Sequence, residues 1–473
     1  MLGMRKVDTV TLGAGGGAYP AAFALARAGQ HVAMVDSYGV MSGNCLAEGC
    51  VPSKAVREVA ELRRRAIAGA SRIGKDVAPT GAGSRPSPVD YPAVLAHKDR
   101  VQRTRYNQHD VELSEVADHL ELIQGRARLV DPYTVEVDGG SGKQQLRADH
   151  VIIATGSDVF VPPIPGAEHC VTSHDLFKMS AAVTELPDRL VVIGGGYIGL
   201  EVACMFHAFG SEVTVVEAMD QILPGMDTGF VNLLAEGIDP NIAIVLRATV
   251  TGVETAMRGF KVTYEQDGTT SHVEADLVLM AVGRHPVIPD GARELGLDIE
   301  KHGLAVEPTM QTNQPHIYAP GDVNGRSMLF HSAVRQSLVA GHNILAGDKG
   351  VDRMNFLSVP TTIFTAPEGA YVGLTRQSAK DKGVSAIESS YALVTDSRAQ
   401  IFDETYGEIR LFFEEESLRL IGGWVVGIDA AQLIGEIGMA VSIGATAFEI
   451  ARFADQHPMS AEGISKAARA VVS

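Results

Sequence analysis

The sequence predicts an α/β protein with two similar βαβ units, followed by a C-terminal α+β domain. A strand, a Gly-rich turn, a helix and a second strand that ends in an acid occur twice in the chain. In both copies the acid follows the first glycine by 23 residues (13 to 36, and 194 to 217). The composition then changes near Asp352, where alternating apolar runs begin. With 473 residues the chain is long enough for about three domains.

The first copy of the pattern lies near the N-terminus. Its predicted elements are a strand from Val7 to Leu12, a Gly-x-Gly-x-x-Ala turn at 13–18, a helix from Tyr19 to Ala28, and a strand from His31 to Val35 that ends at Asp36. Glycines in such a turn let the backbone approach a pyrophosphate, and the helix N-terminus faces its charge. The acid can bind a ribose hydroxyl, so this copy predicts a dinucleotide site.

The second copy has a strand from Leu190 to Ile193, a Gly-x-Gly-x-x-Gly turn at 194–199, and a strand from Glu212 to Val216 that ends at Glu217. Two matched copies predict two dinucleotides. Glu217 offers acceptors to both hydroxyls of an NAD ribose. Because no Lys or Arg occurs between it and Arg247, NAD is favoured over NADP.

The segments around the two copies have their own signals. We expect a charged helix from Val56 to Ala66, with Arg63, Arg64 and Arg65 on a solvated face, and an exposed loop from Lys75 to Pro88. The Pro-rich segment 162–166 predicts a domain hinge. Three further strands are predicted where apolar runs lead into glycine-containing motifs, at 151–153, at 277–282 and just before Asp322.

The C-terminal part predicts an antiparallel sheet followed by helices. The predicted strands are Thr361 to Thr365, Ala370 to Leu374, Ile409 to Phe413 and Leu420 to Val426. The predicted helices are Ala430 to Ile443 and Ala447 to Phe453, with a short helix at the end of the chain.

Charge and hydropathy argue against two classes of partner. The formal net charge of −17 is unfavourable for a nucleic-acid partner. No apolar run reaches the roughly 18 residues of a membrane span. Residues 1–8 lack the apolar core of a secretory signal. We therefore expect a soluble, cytoplasmic protein.

Cys45 and Cys50 form the most informative pair of side chains in the sequence. Their spacing lets two thiols meet across roughly one and a half helical turns. It is not a zinc pattern by itself, because no second Cys or His pair follows at ligand spacing. A structural disulfide does not suit a long chain with four cysteines and no predicted secretory signal. A redox-active pair remains, which cycles between dithiol and disulfide; the alternative is two inert buried thiols.

A set of motifs occurs in a fixed order along essentially the whole chain. It comprises the first Gly-rich turn, Cys45 to Cys50 with Pro52-Ser53-Lys54, Ala154-Thr155-Gly156, the second Gly-rich turn with Glu201, Gly283-Arg284, Gly321-Asp322, and His457-Pro458 with Glu462. With these motifs the chain resembles the class I flavin-dependent pyridine nucleotide–disulfide oxidoreductases, and within them most closely the dihydrolipoamide dehydrogenase branch.

The resemblance implies two Rossmann-like dinucleotide-binding domains plus a C-terminal α+β dimerisation domain. It divides the chain into an FAD-binding domain in two parts (1–157 and 281–351), an NAD-binding domain (158–280) and a dimerisation domain (352–473). The implied FAD-binding residues are Gly13, Gly15, Gly17, Asp36, Asn44, Lys54, Ala127, Thr155, Gly156, Gly321, Asp322, Met328, Leu329 and His331. The implied NAD-binding residues are Gly194, Gly196, Tyr197, Ile198, Gly199, Glu201, Glu217, Val250 and Gly283.

The resemblance also implies the catalytic groups and the reaction. Cys50 would face the flavin, Cys45 would exchange with substrate, and Lys54 would pair with Glu201 beside the flavin. His457 would act as the base on the cysteines of the partner subunit, because exchange needs a thiolate near neutral pH. Glu462 would orient the imidazole.

The implied activity is NAD-dependent oxidation of dihydrolipoyl groups on a carrier protein by a homodimer, the activity of EC 1.8.1.4. The carrier could belong to a 2-oxoacid dehydrogenase, to glycine cleavage or to a specialised lipoyl protein. Alternatives are an NAD(P)H-dependent reductase of another disulfide and a non-catalytic flavoprotein that senses NADH. Retention of both cysteines, His457 and Glu462 argues against the last of these.

Several positions depart from the family's usual pattern. Asn44 stands where Thr is common, Glu48 where a small or apolar residue is common, and Phe330 where Ala is usual. The segment 334–337 lacks the usual acids, and Met459 replaces a common Thr. None of these changes removes a catalytic group, but several of them are expected near the disulfide and the flavin.

Overall fold

A computed structural model describes residues 4–41, 43–73, 89–140 and 142–473, so the predicted loop from Lys75 to Pro88 lies outside the described residues. The elements up to residue 159 are β1 (Met4–Leu12), α1 (Tyr19–Arg27), β2 (Val32–Asp36), α2 (Gly43–Ala47), α3 (Cys50–Ile73), α4 (Tyr91–Ser114), β3 (Leu120–Gln124), β4 (Arg126–Asp131), β5 (Thr134–Gly139), β6 (Gly142–Ile153) and β7 (Ser157–Val159). No helix in these ranges is long and apolar enough to cross a bilayer.

The middle of the chain holds a second set of alternating strands and helices. Its elements are α5 (Ser173–Phe177), β8 (Arg189–Ile193), α6 (Tyr197–Phe209), β9 (Glu212–Val216), α7 (Thr228–Gly237), β10 (Ala243–Val245), β11 (Ala248–Thr255), β12 (Phe260–Gln266), β13 (Thr269–Ala275) and β14 (Leu277–Met280). They are followed by β15 (Arg284–Pro286), β16 (Ile299–Glu300), β17 (Gly303–Leu304), β18 (Ile317–Tyr318) and α8 (Phe330–Leu345).

The C-terminal part alternates less regularly. Its elements are β19 (Thr361–Ile363), β20 (Gly369–Gly373), α9 (Arg376–Asp381), β21 (Ala386–Ala392), α10 (Ser397–Phe402), β22 (Glu408–Glu414), β23 (Leu420–Val426), α11 (Ala430–Ile443), α12 (Ala447–Ala451) and α13 (Glu462–Val472).

The first sheet has the order β3-β2-β1-β6-β5-β4, with β18 paired to β6. The strands β3, β2, β1, β6 and β18 run parallel, whereas β4 and β5 form an antiparallel extension. The C-terminal parts of β1 and β2 are buried, so β2 is apolar from Val32 to Val35, whereas β1 alternates Val10 and Leu12 with the buried Thr9 and Thr11. The pairing of β18 brings the segment that ends at Asp322 back to this sheet.

The second βαβ unit forms the parallel sheet β10-β9-β8-β14, and β11-β12-β13 form a separate antiparallel sheet. The C-terminal sheet has the order β19-β20-β23-β22-β21 and is antiparallel throughout. Helices α11 and α13 pack on it around a buried apolar cluster that includes Phe413, Ile437 and Ile464. The α/β class with a C-terminal α+β domain is therefore confirmed.

Most predicted element bounds are close to the observed ones, but several predictions need correction. The helix predicted over 56–66 runs from Cys50 to Ile73. The predicted solvated face holds for Arg65, which is 51% exposed, whereas Arg64 is partly exposed and pairs with Glu61 and Glu404, and the Arg63 Nε donates to the Ala208 carbonyl.

The other corrections concern the bounds of three elements and the omission of a sheet and a helix. The first strand begins at Met4 rather than at Val7. The strand predicted over 277–282 ends at Met280, because Val282 lies in the turn before Gly283. The helix predicted from 447 to 453 stops at Ala451. The antiparallel sheet β11-β12-β13 and the long helix α4 were not predicted, since α4 shows almost no amphipathic pattern.

Candidate active site

The two cysteines lie on two successive helices that meet at a break. Cys45 belongs to α2, Cys50 is the first residue of α3, and the chain turns at Glu48 and Gly49 between them. The single helix implied by the spacing is thus wrong. A side chain at Gly49 would place its Cβ 2.8 Å from the Asn44 carbonyl oxygen, so only glycine fits the turn without movement.

The two thiols are reduced and share a hydrogen bond, which makes them inequivalent. The hydrogen bond from Cys45 lowers the pKa of Cys50 to about 7, against the opposing effect of burial and with help from the positive charge of Lys54. The N-terminus of α3 also favours a thiolate at Cys50. The pKa of Cys45 is raised, because its proton is held in the bond to Cys50 and because the thiol is largely buried. Cys50 is therefore the thiolate of the reduced pair.

Lys54, on the same helix as Cys50, contacts both the second βαβ unit and the C-terminal part of the chain. Its ammonium group lies 2.6 Å from Glu201 on α6 and 4.5 Å from the ring centre of Phe364 in the C-terminal part. Glu201 is buried and also accepts from the Phe364 backbone N–H at 3.1 Å. The Lys54–Glu201 pair predicted from the sequence is thus present.

The first Gly-rich turn lies against three other backbone segments. A Cβ on Gly13 would be 2.3 Å from the Ala154 carbonyl oxygen, and one on Gly17 would be 2.7 Å from the Pro320 carbonyl oxygen. A Cβ on Gly15 would be 3.1 Å from the Cα of Gly43, at the start of α2. Four segments therefore meet here: the first Gly-rich turn, the Ala-Thr-Gly motif, the segment before Asp322 and helix α2.

Two partly buried carboxylates border this convergence. Asp36 ends β2 and accepts from the Tyr38 N–H at 2.9 Å, and burial raises its pKa. Burial also raises the pKa of Asp322, against opposing effects of a hydrogen bond from the Ser157 hydroxyl and the charge of Arg284. Arg284 in turn donates to the hydroxyl and carbonyl of Ser157. Ser157 was not singled out from the sequence, although it follows the Ala-Thr-Gly motif directly.

The remaining residues predicted for FAD lie on three elements and in two connecting segments. Asn44 on α2 donates from its side-chain amide to the Ser157 carbonyl at 2.6 Å. The His331 ring on α8 lies 2.7 Å from the Pro360 carbonyl, so the side chain is engaged with the C-terminal part. The others lie on β4, in the turn after β6 and just before α8: Ala127, Thr155, Gly156, Met328 and Leu329.

The residues predicted for NAD gather around the second Gly-rich turn. A Cβ on Gly194 would be 2.5 Å from the Ala281 carbonyl oxygen, and one on Gly199 would be 2.0 Å from the Gly194 carbonyl oxygen. Gly196 precedes α6, which has no side-chain cap at its N-terminus. Tyr197 begins α6, and its hydroxyl lies 3.1 Å from that of Tyr371 in the C-terminal sheet. Ile198 follows on α6, Val250 lies on β11 and Gly283 follows β14.

Glu217 closes the second turn as the repeat predicts. Its carboxylate accepts from the Gly195 N–H at 2.6 Å and from the Met219 N–H at 2.8 Å. The backbone N–H of Arg247, the first basic residue after Glu217 in the sequence, donates to the Met219 carbonyl at 2.8 Å. The guanidinium of Arg247 lies 3.7 Å from Asp267, and both side chains are exposed.

His457 and Glu462 form a pair in the C-terminal part. The His457 Nδ1 lies 2.8 Å from a Glu462 carboxylate oxygen, and the imidazole is 68% exposed, so its other nitrogen faces solvent. Burial raises the pKa of Glu462, but hydrogen bonds from His457 and Lys466 outweigh it and the net shift is downward. Among the described residues, no hydrogen bond or ion pair joins His457 to Cys45 or Cys50 of the same chain.

The positions that depart from the usual pattern have defined contacts. Glu48 lies 2.9 Å from the His174 Nε2 on α5, beside Asp158. The Phe330 ring covers Gly16, where an added Cβ would be 2.9 Å from the ring. Gln336 is fully buried and accepts from the Gly321 N–H at 2.9 Å, and therefore holds the turn before Asp322 without a charge.

Sequence profiles of one protein family match most of the chain. The profile described as pyridine nucleotide-disulphide oxidoreductase matches residues 7–337, and the profile of the dimerisation domain of the same family matches residues 359–468.

The chain belongs to the pyridine nucleotide–disulfide oxidoreductases.

Curated members of this family are similar over nearly the full length. Dihydrolipoyl dehydrogenase of Vibrio cholerae is 33% identical, with 98% of this chain and 95% of that protein covered. Dihydrolipoyl dehydrogenase of Geobacillus stearothermophilus is 31% identical, with 98% and 96% covered. Leghemoglobin reductase of Glycine max is also 31% identical, with 99% and 88% covered.

Solved structures of this family have the same fold. LpdA from Mycobacterium tuberculosis is 26% identical and superposes with a TM-score of 0.86 over 99% of this chain and 100% of that chain. The HOCl-induced flavoprotein disulfide reductase RclA from Escherichia coli, in its Cu(II) complex, is 23% identical with a TM-score of 0.84 over 99% and 100%. At that identity the second likeness concerns the fold alone.

FAD and NAD(H) are the cofactors of this family, and the described residues fit both groups. Each Gly-rich turn packs so closely on neighbouring backbone that side chains are excluded from it, and each leads into a helix whose first N–H groups have no side-chain cap. Such a turn can receive a pyrophosphate. The partly buried carboxylate of Asp36 and the buried carboxylate of Glu217 lie at the C-terminal end of the second strand of each unit, where a ribose would lie.

Proposed function

We propose that this protein is an NAD-dependent dihydrolipoamide dehydrogenase. The observation that carries the proposal is the Cys45–Cys50 pair with a stabilised thiolate, which lies where the first Gly-rich turn meets helix α2. The curated relatives named dihydrolipoyl dehydrogenase, which this chain matches along 95–96% of their length, support the choice of substrate.

The reaction balances two electrons and two protons. A dihydrolipoyl thiolate attacks the Cys45 sulfur of the oxidised pair, which releases Cys50 as a thiolate. The second dihydrolipoyl thiol then closes the substrate disulfide, which leaves Cys45 and Cys50 as the reduced pair. Bound FAD would supply two-electron transfer from these sulfurs to NAD, which would receive the electron pair with one dithiol proton as hydride, while the other proton is released.

The side chains around the pair have separate tasks in this proposal. Lys54 stabilises the Cys50 thiolate and is itself held by Glu201. His457 takes the proton of the incoming dihydrolipoyl thiol, and Glu462 fixes the imidazole through Nδ1. The residues predicted for FAD and NAD, with the domain bounds at 157/158, 280/281 and 351/352, are part of the same proposal.

The proposed active form is a homodimer in which His457 serves the cysteines of the second copy. Supporting this, large apolar side chains are exposed on α11, α12 and the turn after α12, and such a surface favours association. They are Met439 (63% exposed), Ile443 (72%), Phe448 (48%) and Phe453 (61%). The proposed partner is a lipoylated carrier protein, and the proposed compartment is the cytoplasm, where reduced thiols persist.

The direct test is a comparison of substrates on one preparation of FAD-loaded protein. We expect dihydrolipoamide to drive NADH formation, and NADPH-driven reduction of glutathione disulfide to be much slower. Cys45→Ser and Cys50→Ser should each abolish dihydrolipoamide oxidation while FAD stays bound, because a single thiol cannot complete the exchange. Faster reduction of glutathione disulfide, or turnover by either variant, would contradict the proposal.

A further inference from the structure

Helix α4 presents two fully buried polar side chains to the redox helices. Lys98 and Gln102 lie one turn apart, and each has no exposed surface. Lysine and glutamine are rarely buried unless their polar atoms have partners. Neither residue belongs to the catalytic or cofactor-binding set described above.

Gln102 donates both hydrogens of its amide to the break between the two cysteines. Its Nε2 lies 3.0 Å from the Leu46 carbonyl oxygen and 2.8 Å from the Ala47 carbonyl oxygen. These are the last carbonyls of α2, which have no partner within that helix. Gln102 therefore terminates α2 between Cys45 and Cys50.

Lys98 determines which way the Gln102 amide points. Its ammonium group donates to the Gln102 Oε1 at 3.0 Å, so this atom must be the acceptor and Nε2 must face α2. Lys98 also donates to the Lys178 carbonyl at 2.8 Å, just after α5, and contacts Asp99. Asp99 in turn accepts from the Ser180 N–H at 3.4 Å.

The position of the α2 terminus controls the chemistry of the pair. A disulfide closes only when the two Cα atoms lie about 4.4–6.8 Å apart, and the hydrogen bond between the reduced thiols is similarly demanding. Loss of the Gln102 amide would leave the buried Leu46 carbonyl and the partly buried Ala47 carbonyl without this donor, which favours movement of the turn.

We propose that Gln102, oriented by Lys98, is a positioning residue that fixes the separation and orientation of Cys45 and Cys50. This inference deepens the proposed function and rests on the redox role of the pair given there. Gln102 touches neither thiol and acts through the backbone of Leu46 and Ala47. The contact between Glu48 and His174 on the other side of the turn is the competing anchor.

The test measures thiol chemistry without a lipoyl substrate. FAD-loaded wild-type protein and the variants Gln102→Met and Gln102→Glu are fully reduced under anaerobic conditions and pulsed with iodoacetamide across a range of pH. Mass spectrometry then reports the alkylation of Cys50 at each pH, and thermal unfolding reports the stability of each variant. Gln108→Met is the matched control, because Gln108 lies on the same helix but is exposed.

We expect Gln102→Met to lower the rate of Cys50 alkylation at pH 7 about fivefold, because a pKa raised from about 7 by about one unit reduces the thiolate fraction from about one half to about one tenth. The Gln102→Glu variant keeps an acceptor for Lys98. When it is ionised it cannot donate to the Leu46 and Ala47 carbonyls, so its Cys50 alkylation should slow in the same way. Gln108→Met should match the wild type.

An unchanged pH profile in the glutamate variant would overturn the proposal, even if its unfolding temperature falls. If Gln102→Met does not fold, Gln102→Glu decides, because its carboxylate retains the contact with Lys98. A shifted alkylation profile together with absent dihydrolipoamide turnover in the wild type would refute the proposed substrate and leave the role of Gln102 standing.

Discussion

The pKa of Cys50 depends on a balance between two oppositely charged neighbours. Lys54 lowers this pKa and Glu201 raises it, while the hydrogen bond from Cys45 is the largest cause of its value of about 7. We expect Lys54→Met to raise the pKa and slow alkylation of Cys50 at pH 7, and Glu201→Gln to lower the pKa and speed alkylation at lower pH. Lys54→Arg keeps the charge and is the control. Shifts of the same sign in Lys54→Met and Glu201→Gln would contradict this electrostatic balance.

The loss of His457 should impair only one half of the reaction. General-base help is worth roughly 10²–10⁴ in rate, so we expect His457→Gln to reduce dihydrolipoamide oxidation by about that factor. NADH-driven reduction of an artificial dye should persist, since it needs no base at the thiols. Glu462→Gln should act in the same direction but less severely, because Glu462 orients the imidazole. Equal loss of both activities would contradict the assigned role.

At this scale the sequence predicted the groups that belong to family motifs. The Lys54–Glu201 and His457–Glu462 contacts were inferred from motif positions, and both are present. Gln102 was not found, because it lies 52 residues from Cys50 (102 − 50) on a helix with no motif. Its burial opposite the α2 carbonyls arises only when α4 packs on α3 and α2.

At the scale of elements, the end of β9 determines the choice of nicotinamide nucleotide. Glu217 would repel a 2′-phosphate, and Arg247, the first basic residue after it in the sequence, is joined to the turn after β9 through its backbone N–H. We expect the ratio of kcat/KM for NAD to that for NADP to fall in Glu217→Ser and to rise in Arg247→Ala.

Arg258→Ala is the control for the second change, since Arg258 is also exposed (78% against 64% for Arg247) but contacts Asp188 instead. A preference for NADP in the wild type would contradict the argument from Glu217. No change in Arg247→Ala would mean that this guanidinium does not reach the nucleotide.

The elements that the sequence predicted well are those with a strong local pattern. Strands β9 and β23 and helix α11 were placed with their observed bounds, because each is a predominantly apolar segment with clear ends. Helix α3 was predicted too short and α4 was missed. Their polar residues are satisfied by other elements, as in the contact of Arg57 with Glu368, and this partnership is invisible in a local window.

At the scale of the whole molecule, the exposed apolar surface of α11 predicts a dimer. We expect Ile443→Asp to weaken the dimer in sedimentation experiments at low micromolar concentration, because a charge would be buried in the contact. Dihydrolipoamide turnover should fall with it and become dependent on protein concentration. Ile401→Asp is the matched control, because Ile401 on α10 is exposed to a similar degree (62% against 72%). A stable dimer in Ile443→Asp would place the interface elsewhere.

The order of the first βαβ unit, the second βαβ unit and the C-terminal part could be predicted from the sequence. The contacts between them could not. The Tyr197–Tyr371 contact and the hydrogen bond from Tyr406 to the Leu233 carbonyl join the second βαβ unit to the C-terminal part. Each contact links residues more than 170 positions apart. No repeat or motif spacing encodes them, because they depend on how complete domains pack.

The central claim is that electrons pass between a nicotinamide and the Cys45–Cys50 pair. The most direct measurement mixes air-oxidised, FAD-loaded protein anaerobically with an equimolar amount of NADH, alkylates it, and locates the new labels by mass spectrometry. Cys170 and Cys204 are internal controls, since burial raises the pKa of each to about 11. We expect NADH to add labels at both Cys45 and Cys50 and to leave Cys170 and Cys204 unchanged. Oxidation of NADH with no new label at Cys45 or Cys50 would contradict the claim.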